Sequence, residues 1–184
     1  MAYRNGTYVA FHADKNNIPG KTDIDYYNLM KAWEAKSDDE FTMVNSHEKA
    51  AAVRDTSKRE TLRRSLKDRL CNSKNMVLII GETTRLDTDW VPFEIEQAID
   101  VYEIPIIAAY TIHDGPIRNP SALSGYWPNA LSLRINNKSA RVIHIPFRKP
   151  AIHNAISQFS HKKLPVGSLT IYADTAYQNF GISG

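Results

Sequence analysis

The chain has 184 residues, of which 42% are hydrophobic and 23% are charged, and its formal net charge is +3. This length and composition predict one globular domain and exclude collagen-like and low-complexity proteins. The single cysteine, Cys71, excludes an internal disulfide framework and a zinc site built from several cysteines. The charge is too small to indicate nucleic-acid binding by itself.

Neither a membrane span nor a secretory signal is predicted. No apolar run approaches the roughly 20 residues that a membrane-spanning helix needs. The apolar stretch near the N-terminus is short, and His12 and Asp14 interrupt it, unlike the layout of a signal peptide. We therefore expect a cytoplasmic protein that does not bind membranes.

Short apolar runs recur along the chain at the length of β-strands. They are rich in β-branched and aromatic residues and do not alternate with polar residues, which is typical of strands covered on both faces. The predicted strands are residues 7–11, 76–80, 104–110 and 141–145, with a weaker candidate at 41–44.

Helical spacing of apolar residues is found between these runs. The four stripes consist of Tyr26, Leu29, Met30 and Trp33; Leu62, Leu66 and Leu70; Ile95, Ala98, Ile99 and Tyr102; and Ile152, Ala155, Ile156 and Phe159. The alternation of strands and helices predicts an α/β fold with right-handed crossovers and a mostly parallel sheet. Ligands bind such sheets beyond the carboxyl ends of the strands, so the segments that follow the strands are candidates for a site.

Two segments have no clear periodicity. Residues 111–139 contain several glycines and prolines and predict a loop or short-helix insertion, and a connection of this length is often functional. Residues 164–184 could form an added strand or an ordered arm, and the sequence assigns them no definite structure.

Common cofactor motifs are absent. The chain has neither GxGxxG nor GxxxxGK[ST], so a bound dinucleotide would not be held in the usual Rossmann manner. The six histidines show no metal-ligand spacing, so we predict no metal site.

The most informative stretch lies around Pro92, which favours the first turn of a helix and therefore predicts Glu94 in that turn. Glu94 then has two interpretations. It could cap the helix and complement its dipole, with Trp90 as a buried anchor. Alternatively, it could be an ionised carboxylate beside an aromatic plane, which suits an enzyme that forms an oxocarbenium-like cation at a ribose.

A family resemblance rests on this stretch. Trp90 and Glu94 are spaced as in the WxxxE signature of Toll/interleukin-1 receptor (TIR) domains that cleave NAD. The wider pattern is similar to the TIR-like sensor proteins of Thoeris anti-phage defence, the ThsB family. That pattern consists of residues 8–14, residues 77–81, Thr84, Trp90, Val91, Glu94, Ile95, Ala98 and the strand at 104–110. The resemblance covers residues 7–110 and extends more loosely to residue 160.

The resemblance implies a flavodoxin-like (TIR-like) three-layer fold with five strands in the order 2-1-3-4-5. We predict a TIR-like domain of residues 1–163, followed by a C-terminal extension of unknown structure at residues 164–184. The resemblance also implies an enzyme that breaks the nicotinamide–ribose bond of NAD and makes a cyclic ADP-ribose isomer or an ADP-ribosyl conjugate, which activates a partner effector. NAD is the substrate, and no prosthetic group is implied. Glu94 would be the catalytic residue, and the substrate-binding residues would be Phe11, His12, Asp14, Thr84 and Trp90.

Other interpretations remain open at this point. The chain could be a non-catalytic TIR-like adaptor that associates with itself or a partner, or a nucleoside deoxyribosyltransferase-like enzyme.

Residues 54–74 hold eight basic and three acidic side chains. A basic helix of this kind usually presents a solvated face, but it could also steer phosphates or mediate self-association.

Overall fold

A computed structural model describes residues 4–13, 22–36, 41–44 and 56–184. Five parallel strands form one sheet in the order β2-β1-β3-β4-β5. The strands are β1 (Gly6–Ala10), β2 (Met43–Val44), β3 (Ser73–Ile80), β4 (Ile106–Tyr110) and β5 (Val142–Pro146). The predicted α/β architecture and strand order are confirmed.

Six α-helices lie among the described residues. They are α1 (Asp23–Glu34), α2 (Thr56–Cys71), α3 (Trp90–Glu96), α4 (Asn129–Asn136), α5 (Lys149–Gln158) and α6 (Asp174–Asn179). A π-helical turn, Gln97–Val101, continues α3. Short 3-10 helices at Thr84–Leu86 and Pro120–Tyr126 lie in the connections after β3 and β4. No helix in the described part of the chain is long and apolar enough to cross a membrane.

Each face of the sheet carries its own hydrophobic core. Alternate residues of β1 divide between them: Tyr8 and Ala10 join the core beneath α2, α3 and α4, whereas Val9 and Phe11 join the core beneath α1, α5 and α6. Both faces are therefore buried, which explains why the strands are continuously apolar in sequence.

Strand β3 is longer than the apolar run at residues 76–80 that predicts it. It begins at Ser73 and includes Asn75, whose side chain is fully buried. Its amide accepts a hydrogen bond of 2.8 Å from Thr7 Oγ1 and donates to the Ile156 and Phe159 carbonyl oxygens. These bonds satisfy the polar group, so it tolerates burial at the start of a central strand.

Residues 164–184 pack against the sheet. The Val142 N–H donates to the Gly167 carbonyl at 3.0 Å, and the His144 N–H donates to the Thr170 carbonyl at 2.9 Å. Helix α6 then contributes Tyr177 to the second core. This segment covers part of the outer edge of β5, which would otherwise expose unpaired backbone groups. The domain boundary at residue 163 stays a prediction.

Candidate active site

Helix α3 begins just beyond the carboxyl end of β3, and Asp87 caps it. The Oδ1 atom of Asp87 accepts hydrogen bonds of 2.9 Å from the backbone N–H groups of Asp89 and Trp90. Because the helix already begins at Trp90, Glu94 is its fifth residue, and no acidic residue lies in the first turn. The expectation that Glu94 lies in the first turn is wrong, since Pro92 is the third helical residue rather than the first. Glu94 therefore does not cap the helix.

The Glu94 side chain is fully buried beneath the sheet. Its Oε1 atom accepts a hydrogen bond from the Tyr8 hydroxyl, and Tyr8 is also fully buried, in the middle of β1. Burial raises the pKa of the Tyr8 hydroxyl well above its usual value, and the charge of Glu94 and the hydrogen bond raise it further. Tyr8 is thus a permanent donor at neutral pH. A substrate reaches this carboxylate only if neighbouring groups move.

Trp90 packs into the same core one helical turn before Glu94 and is 7% exposed. The Arg59 guanidinium of α2 lies over its ring, 5.4 Å from the centroid, and also pairs with Asp89. The indole N–H is buried and has no hydrogen-bond partner among the described residues. Aromatic surface and an uncommitted donor therefore lie on the helix that carries Glu94.

His12 follows β1 and joins the same helix start through Asp87. Its Nδ1 atom lies 3.1 Å from Asp87 Oδ2. Burial alone would raise the pKa of the Asp87 carboxyl, but the His12 hydrogen bond, the backbone N–H groups of Asp89 and Trp90, and the charge of His12 together hold it below its usual value. Asp87 is therefore ionised at neutral pH, and it orients the imidazole.

Phe11 and Thr84 face the interior. Phe11 stacks on Tyr27 of α1 with a centroid distance of 4.5 Å. Thr84 is fully buried; its hydroxyl donates to Asp23 Oδ2 at 2.6 Å and accepts from the Gly81 N–H at 2.7 Å. These contacts attach α1 to the turn after β3. Any contact of these two residues with a substrate stays a prediction.

The structure thus brings together His12, Trp90 and Glu94, the last two on one helix and the first through Asp87. Asp14 lies outside the described residues. Sequence reasoning missed Asp87 and Tyr8. Asp87 carries a usable signal, because an aspartate shortly before a predicted helix is a capping candidate. Tyr8 carries none, since its partner is 86 positions away in sequence.

No group of three His, Cys, Asp or Glu side chains in the described ranges could hold a metal ion. A cavity of about 470 Å³ lies between the connection after β4 and the C-terminal segment, lined by residues that include Arg118, Asp174 and Tyr177. None of the predicted site residues lines that cavity.

The chain matches a known protein family. The family described as the Thoeris protein ThsB, TIR-like domain, matches residues 8–114. That span is more than half of the chain, and it runs from Tyr8 in β1 through Glu94 in α3 to the residues just after β4. The chain therefore belongs to the TIR-like domain family of Thoeris ThsB proteins.

Proposed function

We propose that this protein cleaves the nicotinamide–ribose bond of NAD and converts the ADP-ribosyl group into a nucleotide signal for a partner effector in anti-phage defence. The observation that supports this function best is the fully buried Glu94 carboxylate, held by the Tyr8 hydroxyl on the helix that also carries Trp90. Burying a carboxylate costs several kcal/mol unless it is compensated, so an acid kept at such a place indicates a role for its charge.

The chemistry needs that charge. In the proposed first step the C1′–N bond breaks, both bonding electrons leave with nicotinamide, and nicotinamide departs as a neutral molecule. Positive charge then develops on the ribose as an oxocarbenium-like cation. Glu94 would stabilise this cation, and in a dry site such stabilisation is worth far more than in water.

The second step decides the product. An oxygen or nitrogen atom of the same ADP-ribosyl group, a water molecule or a small acceptor attacks C1′, and an attacking group that carries a proton, such as a hydroxyl or water, releases it. Internal attack yields a cyclic ADP-ribose isomer, water yields ADP-ribose, and an acceptor yields a conjugate. Trp90 at the start of α3 and His12, which is joined to that start through Asp87, would border the reacting ribose and its leaving group.

The test replaces Glu94 by Gln, which keeps the shape of the side chain and removes its charge. Glu96→Gln is the matched control, because Glu96 lies on the same helix and is exposed. We expect Glu94→Gln to release nicotinamide more slowly by a factor on the order of 10² or more, and Glu96→Gln to match the wild type. Nicotinamide and the second product are measured by mass spectrometry, with purified protein and in phage-infected cells.

The adaptor hypothesis makes the opposite prediction. A non-catalytic module releases no nicotinamide under either condition. Wild-type activity that survives in Glu94→Gln would also remove the proposal, because the charge would then have no part in bond cleavage.

A further inference from the structure

Tyr8 is the polar side chain that β1, an interior strand of the sheet, directs toward α3. It is fully buried, and its hydroxyl donates to Glu94 Oε1. The next residue of β1 on the same face is Ala10, so the strand presents only a methyl group between Tyr8 and the carboxyl end of the sheet, where ligands bind in this fold. Tyr8 therefore contacts Glu94 from within the core and not from the carboxyl end of the sheet, where the substrate is proposed to bind.

We propose that Tyr8 is a positioning residue for Glu94, whose hydroxyl fixes the carboxylate in one orientation and stabilises its ionised form. The inference rests on the proposed function, since it assigns a role within the same site. It adds a residue that neither the spacing of Trp90 and Glu94 nor the family match assigns to the chemistry.

The surroundings of Glu94 define what this donor adds, beginning with the helix start. Asp87 already accepts the N–H groups of Asp89 and Trp90, and Glu94 lies beyond the first turn, where the effect of the helix dipole has declined. Arg59 and Arg63 contact Asp89, whereas the charge of Arg69 on α2 acts on the Tyr8–Glu94 pair itself, since it lowers the pKa of the Tyr8 hydroxyl against the larger effects of burial and Glu94. A buried carboxylate that loses a hydrogen-bond donor becomes easier to protonate.

Packing alone does not require the hydroxyl. Tyr8 is surrounded by apolar residues of the first core, where Phe would fill nearly the same volume. Burial and the neighbouring charge raise the pKa of the Tyr8 hydroxyl, so it stays protonated and donates over the whole range in which the enzyme would work. The hydroxyl can thus donate its hydrogen bond to an ionised Glu94 throughout that range.

The experiment uses Tyr8→Phe in the full chain and measures nicotinamide release against pH. We expect the acid limb of the kcat profile to move to higher pH by a unit or more, which lowers activity about tenfold on that limb and restores it at higher pH. Tyr172→Phe is the matched control, since it loses a 2.7 Å hydrogen bond to Asn154 on the other face of the sheet. An equal loss at every pH would contradict the proposal.

A second readout does not depend on NAD cleavage. Infrared difference spectra between Tyr8→Phe and the double variant Tyr8→Phe/Glu94→Gln should show a protonated carboxylic acid at neutral pH, whereas wild type minus Glu94→Gln should show a carboxylate. If Tyr8→Phe is destabilised, the double variant should recover stability, because a glutamine amide stays uncharged without taking up a proton. A carboxylate signal in Tyr8→Phe overturns the inference. Absence of nicotinamide release from the wild type overturns the proposed function instead.

Discussion

Asp87 connects two parts of the candidate site through the two oxygens of one carboxylate. Oδ1 caps α3, and Oδ2 holds the His12 imidazole at 3.1 Å. The side chain is 9% exposed, so both contacts are largely shielded from water. The turn after β1 and the helix that carries Glu94 are therefore fixed to each other by a single residue.

Two substitutions at Asp87 separate these roles. Asn retains an oxygen that can accept the backbone N–H groups but loses the charge that pairs with His12. Ala loses both. We expect Asp87→Ala to lower the free energy of unfolding by about 1–3 kcal/mol, and Asp87→Asn to lower it by less. Urea denaturation at neutral pH measures both values. Equal losses in the two variants would show that the cap contributes nothing measurable.

The site illustrates what residue spacing can and cannot predict. The pair Trp90 and Glu94 is recognisable because both residues lie on one short helix, four positions apart. The predicted position of Glu94 in the first turn was wrong, since Asp87 rather than Pro92 determines where the helix begins. The contact between Tyr8 and Glu94 joins distant parts of the chain, so no local pattern contains it.

The elements α2 and α3 are joined by charged and aromatic side chains. Arg59 pairs with Asp89 and lies over Trp90, while Arg63 lies 5.2 Å from the centroid of the Phe93 ring and 3.7 Å from Asp89. Two of the basic residues in 54–74 thus contact the helix that carries Glu94. Whether the remaining basic face of α2 mediates self-association stays a prediction.

A double-mutant cycle between Arg59 and Asp89 measures how strongly this pair couples α2 to α3. Both side chains are about one-third exposed, so we expect Arg59→Ala to cost about 1 kcal/mol and the pair to couple by about 0.5–1 kcal/mol. Arg64→Ala is the matched control, because Arg64 lies on the same helix, is exposed, and should change stability by less than about 0.5 kcal/mol. Additive effects of the two substitutions would show that the Arg59–Asp89 pair contributes nothing measurable to the packing of α2 against α3.

Strand prediction succeeded where burial alone determines the sequence. The continuous apolar runs indicated four strands because both faces of the sheet are covered. The start of β3 was missed, since Asn75 is polar and is tolerated only through partners in β1 and at the C-terminal end of α5. The pairing of Gly167 and Thr170 with β5 was missed for a related reason, because it involves backbone groups that carry no sequence pattern.

At the scale of the whole molecule, a buried hydrogen-bonded chain joins four segments. The Trp127 Nε1–H donates to the Tyr110 hydroxyl at 2.7 Å, and that hydroxyl lies 2.7 Å from His144 Nδ1. His144 Nε2 lies 2.9 Å from the Ser168 carbonyl oxygen. Since an indole N–H only donates and a carbonyl only accepts, Tyr110 must donate to Nδ1, and the proton of a neutral His144 is on Nε2. The connection after β4, the strands β4 and β5 and the C-terminal segment are thereby linked.

This hydrogen-bonded chain accommodates the neutral imidazole of His144 and makes the free energy of unfolding depend on pH. Burial lowers the pKa of His144 to about 4, although the Ser168 carbonyl acts in the opposite direction. In the unfolded chain the imidazole titrates near 6.5. Above that pH the residue is neutral in both states and has no effect. As the pH falls from 6.5 to 4 the unfolded chain gains a proton that the folded protein does not, so stability decreases, by about 3 kcal/mol in total.

Urea denaturation of the wild type and His144→Gln at pH 7 and pH 5 tests this link. Gln stays neutral throughout, so its loss of stability between the two pH values should be smaller than that of the wild type by about 1–2 kcal/mol. Tyr172→Phe, which removes a hydrogen bond but no group that titrates in this range, should be less stable than the wild type by a constant amount at both pH values. The carboxylates common to all three proteins cancel in this comparison. If His144→Gln shows the same pH dependence as the wild type, His144 accepts its proton in the folded state as readily as in the unfolded chain. The hydrogen-bonded chain would then not be a source of the acid sensitivity of the protein.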